Sequence, residues 1–322
     1  MNYYFAPLEG ITGLTYRNLH HKYFGGIHKY YMPFLSPTQN HCLTKKDQRE
    51  LPPADSVPYT AIPQVLTKSV SDFLWAAECC GDRGYSEVNL NIGCPSGTVV
   101  AKGKGAGMLA SPDHLENFLS EIFTKCPLEI SVKTRLGLNA PNEFPKLLTI
   151  LNQFPIKELI IHPRVRTEFY KGSVHLDRFA YAIENSPHKI CYNGDICTQK
   201  DVQFIQERFP QISSVMIGRG LVADPGLLCG GTHRETLHAF HHELFDTYIC
   251  MFGSRQNAMA RMKEIWSMLI TLFDCSDSCG KKIRKCTDYD SFCRLTEEAI
   301  TQLPILREVK PSWLERSIRC EA

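Results

Sequence analysis

Short apolar runs alternate with helical stripes along the first two thirds of the chain. The runs are Tyr3–Pro7, a stretch from Ile27 (IHKYYMPF), Tyr59–Val65, Glu87–Gly93, Glu129–Arg135, Glu158–His162, Lys189–Asp195 and Ser213–Gly220. Each is too short for a core helix and reads as a buried strand. Between them, Val70, Phe73, Leu74 and Ala77 fall at i, i+3, i+4 and i+7. Leu115, Phe118, Leu119, Ile122 and Phe123 repeat that spacing, behind Ser111 as N-cap and Pro112 in the first turn. Leu147, Leu148 and Leu151 make a third stripe. Thr198 followed by Asp201 opens a fourth helix that carries Val202, Ile205 and Phe209. Eight strands, mostly helix-linked, within about 235 residues predict an α/β fold, a parallel (β/α)8 TIM barrel. A doubly wound open sheet is the alternative that periodicity leaves standing.

After Gly230 and Gly231 the strand signals stop. Met259, Met262, Trp266, Leu269, Ile270 and Phe273 predict one long amphipathic helix. A barrel over residues 1–235 is therefore expected to precede a smaller, separate all-helical domain over 236–322. With 322 residues, 43% of them hydrophobic, the chain can bury a large core. Its net charge of +2 excludes a surface basic throughout, so any nucleic-acid contact must be local. Lys102 and Lys104 are candidates for such a contact, as is the KKIRK cluster from Lys281 to Lys285. That cluster has a plainer reading as a solvated helix face. The opening MNYYFAPLEG has no basic stretch followed by an apolar one, and no apolar run approaches the ~20 residues of a membrane helix. A cytoplasmic monomer is expected, with its 14 cysteines reduced. Cys275, Cys279, Cys286 and Cys293 are spaced too loosely for a zinc site, and no metal is expected.

Functional groups of such a barrel gather at the carboxyl ends of its strands. Polar residues of this chain recur there: Gln64 on the third, Asn89, Asn91 and Cys94 on the fourth, Lys133 and Arg135 on the fifth. His162 and Arg164 end the sixth, Asn193 and Asp195 the seventh, Gly218 and Arg219 the eighth. One such residue is ordinary capping chemistry; six consecutive strands ending this way describe a pocket for a planar, hydrogen-bonding, anionic ligand. YNGDI and MIGRG occupy the loops where barrels commonly bind phosphate, although Asn-Gly-Asp alone is ordinary turn chemistry. Lys133 would aim a cation at the barrel axis, or snorkel. For Cys94 four roles compete: nucleophile with His162 as base, metal ligand, proton donor, and inert core thiol. No second cysteine lies within two to four residues, which argues against a zinc knuckle. Thiols with a pKa of about 8.5 are mostly protonated at neutral pH, which suits protonation of a carbanion. The residues alone leave the choice open. The glycines from Gly97 to Gly107 also admit two readings, a moving lid and one tight loop.

In their order and spacing these motifs resemble the tRNA-dihydrouridine synthases. APLEGIT (Ala6–Thr12) resembles that family's opening motif, and NIGCPSGTVVAKGKGAGMLASP (Asn91–Pro112) its cysteine loop. VKTRLG (Val132–Gly137), IHPRVRTEFYKG (Ile161–Gly172), YNGDI (Tyr192–Ile196) and MIGRG (Met216–Gly220) follow, then RMKEIW (Arg261–Trp266) in the helical tail. The resemblance implies an FMN-bound barrel that reduces the C5–C6 bond of selected uridines in tRNA, with NADPH as reductant. It implies hydride transfer to C6 and a proton from Cys94 to C5. It assigns Pro7, Leu8, Glu9, Gln64, Lys133, His162, Asn193, Gly194, Asp195, Gly218 and Arg219 to the flavin. It places Asn91, Arg135 and Arg164 near the substrate, and makes the helical domain the tRNA-binding one. Two departures are visible: Leu8-Glu9 replaces the commoner Met-Ala pair, and SVHLD (Ser173–Asp177) lacks the usual tryptophan. A flavin barrel acting on a free pyrimidine is one rival; it accounts for neither the tail nor the cysteine loop. A flavin-free RNA-binding protein is the other, and Cys94 and Lys133 argue against it.

Overall fold

Nine parallel strands make one sheet in the order β3-β2-β1-β9-β8-β7-β6-β5-β4. They are β1 (Asn2–Phe5), β2 (Lys29–Tyr31), β3 (Ala61–Ile62), β4 (Gln64–Val65), β5 (Glu87–Ile92), β6 (Glu129–Arg135), β7 (Leu159–His162), β8 (Ile190–Asn193) and β9 (Ser214–Ile217). The structure, a computed structural model, describes residues 1–275, 277–309 and 311.

The two ends of the strand order, β3 and β4, are neighbours in sequence, separated only by Pro63. Proline has no N–H to give a ladder, so the expected third strand breaks there into two short pieces. One piece pairs with β2 and the other with β5. The Pro63 carbonyl still accepts from the Asn89 N–H at 2.8 Å. The sheet thereby closes on itself, and the eight expected strands form a barrel rather than an open sheet.

The four stripes are helices Val70–Gly81, Pro112–Lys125, Phe144–Leu151 and Gln199–Arg208. Thr198 and Asp201 form the reciprocal capping box expected of them. Ser111 holds the N-cap position without a side-chain bond, leaving Pro112 to set the first turn. Along each strand, residues two apart share a face, and the inward faces stack in three layers. Glu87, Glu158 and Ser214 lie low, bridged by Lys29 at 3.0 Å from Glu87 and 3.5 Å from Glu158. Above them Tyr4, Tyr31, Ile62, Ile160, Cys191 and Met216 form an apolar plug. The top layer, two residues further along, is polar: Gln64, Asn91, Lys133, His162 and Asn193.

The helical region comprises Arg234–Phe252, Arg255–Leu269, Asp277–Lys285 and Tyr289–Gln302. The single long helix expected to reach Phe273 ends instead at Leu269. Ile270–Leu272 tightens to a 3-10 turn, and Phe273 bridges antiparallel to Ile305. Phe240 sits edge-on to Tyr16, Tyr23 and Phe24 of the barrel's first helix segment, helix Leu14–Tyr23 with Phe24 as its C-cap. The apolar core runs without interruption from Phe5 through Phe240 to Trp266 and Phe292. Lys281, Lys282, Arg284 and Lys285 are exposed around buried Ile283, the solvated face that the spacing suggested. Among the described residues no helix is long and apolar enough to cross a membrane.

His20, fully buried beneath this junction, is 2.9 Å from the Tyr30 hydroxyl through Nδ1 and 3.1 Å from the Pro225 carbonyl through Nε2. The carbonyl only accepts, so the proton sits on Nε2 and the ring is neutral. Burial brings its pKa down to about 3. With the folded value below the unfolded one, its contribution to stability is complete above about pH 6.5 and is lost as pH falls towards 3. Urea unfolding across this window is expected to show a slope about 1 kcal/mol per pH unit shallower in His20→Gln than in the parent. Equal slopes would remove His20 from the acid sensitivity.

Candidate active site

The polar top layer opens into a cavity of about 370 Å³. Its wall contains Pro7, Leu8 and Glu9 from the loop after β1, Gln64 from β4, and Asn91 and Cys94 from β5 and its loop. Lys133 and Arg135 come from β6, His162 from β7, Asn193, Gly194 and Asp195 from the end of β8, and Gly218 and Arg219 from the end of β9. Fourteen residues that the sequence singled out thus meet at one opening, drawn from seven strand ends.

Cys94 is aimed by Asn91. The Asn91 Oδ1 accepts from the Gly93 N–H at 3.0 Å and from the Cys94 N–H at 2.9 Å. Its Nδ2 donates to Gln64 Oε1 at 2.8 Å; Gln64 Nε2 donates to Asn89 Oδ1 at 2.7 Å, and Asn89 Nδ2 to Ser131 Oγ at 2.9 Å. A chain of amides therefore locks the turn that carries the thiol. The glycine loop behind it is packed tight. Gly105 has φ +56°, and a Cβ there would lie 2.9 Å from Cys94 Cβ; a Cβ on Gly107 would lie 2.8 Å from the Val100 carbonyl. Of the two readings, these close approaches match the tight loop.

Charge at the mouth is arranged around Asp195, which sits in the left-handed region at φ 45°. Both of its oxygens take hydrogen bonds from Arg164, and Arg219 reaches Oδ1 at 3.0 Å. Arg164 differs from its expected place near the substrate. It is fully buried behind the cavity wall, and its guanidinium serves Asp195, the Gly172 carbonyl and His162 Nε2. A guanidinium only donates, so His162 Nε2 accepts and its proton rests on Nδ1. Burial, with Arg135, Lys133 and Arg164 nearby, holds His162 well below the usual histidine range. A neutral imidazole whose Nε2 is already occupied is a poor base for Cys94.

The Lys133 ammonium makes no hydrogen bond or ion pair with the described residues, while the residue's backbone sits in the sheet between β5 and β7. Burial and then Arg135 bring its pKa down to about 8. Arg135 donates from Nε to the Gly93 carbonyl at 3.0 Å and from Nη1 to the Val165 carbonyl at 3.1 Å. Its pKa, brought down to about 10 mainly by burial, leaves it cationic at neutral pH. A Cβ on Gly220 would run into the Ile196 carbonyl, so glycine lets the two loops after β8 and β9 close on each other.

Tyr170 lines the cavity without having been singled out from the sequence. Its ring lies 5.3 Å from the Arg135 guanidinium and 4.9 Å from that of Arg219, yet it is 44% exposed. The signal for it was an aromatic pair, Phe169-Tyr170, between charged residues in a loop. Met268 also lines the cavity, brought there by the helical region. Nothing local in its sequence marks it.

A closed parallel barrel with a cationic, amide-lined mouth is enzyme architecture, and comparison with known proteins gives it a family. Residues 4–280 match the dihydrouridine synthase (Dus) family model, so the chain belongs to that family. It is 25% identical over 225 residues to tRNA-dihydrouridine synthase B of Pasteurella multocida, covering 70% of this chain and 67% of that one. It is 29% identical over 232 residues to tRNA-dihydrouridine(16) synthase of Ralstonia nicotianae, covering 69% and 70%. Among solved structures, morphinone reductase in complex with tetrahydroNAD superposes with a TM-score of 0.51 at 9% identity, covering 70% of this chain and 85% of that one. That likeness is one of fold.

Asp195→Asn removes the anion between two guanidiniums and leaves Arg164 buried without its partner. The expected cost is about 3 kcal/mol or more in urea unfolding, because an uncompensated buried charge remains. A loss under 1 kcal/mol would show that solvent reaches Arg164.

Proposed function

We propose that this protein reduces the C5–C6 double bond of particular uridines in tRNA to 5,6-dihydrouridine, with FMN as cofactor and NADPH as reductant. The observation that carries the reading is the pairing, in one cavity, of Lys133 without an ion-pair partner and a thiol aimed by fixed amides. The names of the relatives supply the substrate class. An unpaired, half-buried cation fits a ligand that gains negative charge, as the pyrimidine edge of a flavin does on reduction. Gln64, Lys133 and His162 would hold the ring. Asn193, Gly194, Gly218 and Arg219 would supply the remaining flavin and phosphate contacts, with Asp195 offering its backbone N–H there and its carboxylate to Arg219, and Pro7, Leu8 and Glu9 would close the first side.

Bound FMN would supply the hydride that adds to C6 of the uracil. Cys94 donates its proton to C5, completing the addition, and solvent then restores the thiol. Asn91 acts on the reaction by holding the Cys94 N–H and so the direction of the side chain. Arg135, fixed by two carbonyls, offers its remaining donors and positive charge to the uracil oxygens, with Tyr170 beside it. Arg164 is a positioning residue here: it sets Asp195, which orients Arg219. A uracil stacked in folded RNA cannot reach groups at the inward strand ends, so the base must be extruded while protein charge holds the backbone. Residues 236–322 would provide part of that hold, with Lys281, Lys282 and Lys285 among its exposed cations.

Cys94→Ala is expected to bind FMN and to be reduced by NADPH as the parent is, yet to form no dihydrouridine in unmodified tRNA. Dihydrouridine formed at the parental rate would exclude the thiol as proton donor. Turnover of free uracil or orotate, with none of tRNA, would favour the free-pyrimidine reductase instead. Charge reversal of Lys281, Lys282 and Lys285 to Glu is expected to weaken tRNA binding by about tenfold or more at low salt, with flavin content unchanged. Binding equal to the parent's would take that cluster out of the RNA surface.

A further inference from the structure

Away from the barrel mouth, two histidines and a glutamate meet on the surface of the helical region. His238 and His242 lie four residues apart on helix Arg234–Phe252 and share one face, with ring centroids 4.4 Å apart. Glu297, on helix Tyr289–Gln302, reaches across to both. His238 Nε2 is 2.9 Å from Oε1, and His242 Nε2 is 3.1 Å from Oε2. The three ligand atoms lie within 4.8 Å of one another. All three side chains remain 40–55% exposed, so an ion can reach them from solvent.

We infer that His238, His242 and Glu297 form a binding site for one zinc-class divalent ion, which ties the two helices together. The donor set is two imidazoles and one carboxylate, the three-ligand arrangement that zinc accepts with its fourth position left to water. Two donors about 2.1 Å from a common tetrahedral ion stand about 3.4 Å apart. The two nitrogen–oxygen separations, one to each carboxylate oxygen, fall within half an ångström of that, while the three ligand atoms taken together spread over as much as 4.8 Å, so the exposed side chains must rotate inward to admit the ion. The backbone is already prepared. Arg234 bridges the same two helices through the Ile300 and Leu303 carbonyls, and Phe245 packs on Tyr289 and Phe292 between them. On binding, the protons shared between imidazole and carboxylate leave and the ion takes their place. Imidazole and carboxylate also suit cobalt and nickel, while magnesium and calcium lack the oxygen shell they need.

Equilibrium dialysis of the flavin-loaded, reduced full chain against zinc at neutral pH tests this. The parent is expected to bind one more zinc than the His238→Ala/His242→Ala double variant. Glu297→Gln, which removes the charge of a direct ligand, should weaken that zinc by at least the roughly 10–100-fold that loss of an outer-shell partner costs. Saturating zinc should raise the parent's thermal midpoint by on the order of 3 °C and leave the double variant's unchanged. Cobalt in place of zinc should give its ligand-field bands without thiolate-to-metal charge transfer, which separates this site from the many cysteines. The same stoichiometry and affinity in parent and double variant, or a cobalt spectrum dominated by thiolate charge transfer, would overturn the assignment and leave these residues a hydrogen-bonded clamp only. Circular dichroism and flavin content keep misfolding from passing as loss of metal.

Discussion

Along each barrel strand, side chains two residues apart share a face, and closure turns that face inward. Once the ring closes at Pro63, every inward position has an assigned height. A residue that belongs to the low ionic layer cannot reach the mouth, and one in the apolar plug cannot contact solvent. Glu158, just before β7, and Ile160 and His162 on it show this, as carboxylate, hydrophobe and site residue in turn. A one-residue slip would move all three to the helix-facing side, where charge has no partner. The register of parallel pairing therefore carries both the stability of the barrel and the composition of its site.

The two ends of the barrel treat buried charge differently. At the low end Glu87 is met by Lys29 and Lys157, each at 3.0 Å, and acid and base offset one another. At the mouth Asp195 is shared by Arg164 and Arg219, while Lys133 and Arg135 form no ion pair among the described residues. The mouth therefore keeps an excess of positive charge in a poorly solvated place. That excess costs stability in the free protein, and it is the part of the structure that an anionic ligand would stabilise. Burial first, and then this excess, keeps His162 neutral, since a further cation there would meet four others.

The helical region is bound into the same core rather than hung from it. Phe240 rests on rings of the first helix segment, and helix Arg255–Leu269 contributes Met268 to the cavity wall. The change of periodicity shows that helices follow the last strand. It says nothing of how the new helices pack, because an amphipathic stripe shows that a face is buried but not against what.

Much of the barrel was legible because each strand and helix announces itself by local spacing: eight apolar runs, four stripes and the Thr198–Asp201 box. The polar strand ends were legible too, since inward parity and the carboxyl end of a strand are both counted along the chain. What the sequence left open were relations between distant segments. Whether the sheet closed depended on both halves of the Pro63 strand finding partners. Arg164 and Arg135 look alike in sequence, and only packing sends one behind the wall and the other into it. Tyr170 and Met268 join the site because unrelated elements converge there, and the glycines of the Cys94 loop became a tight turn because Val99 and Val100 fill the space beside them. Local spacing determined which elements form and which residues each one presents. Their heights, neighbours and charges were decided by closure of the ring, since burial and Coulomb interaction depend on distance in space, which sequence separation does not measure.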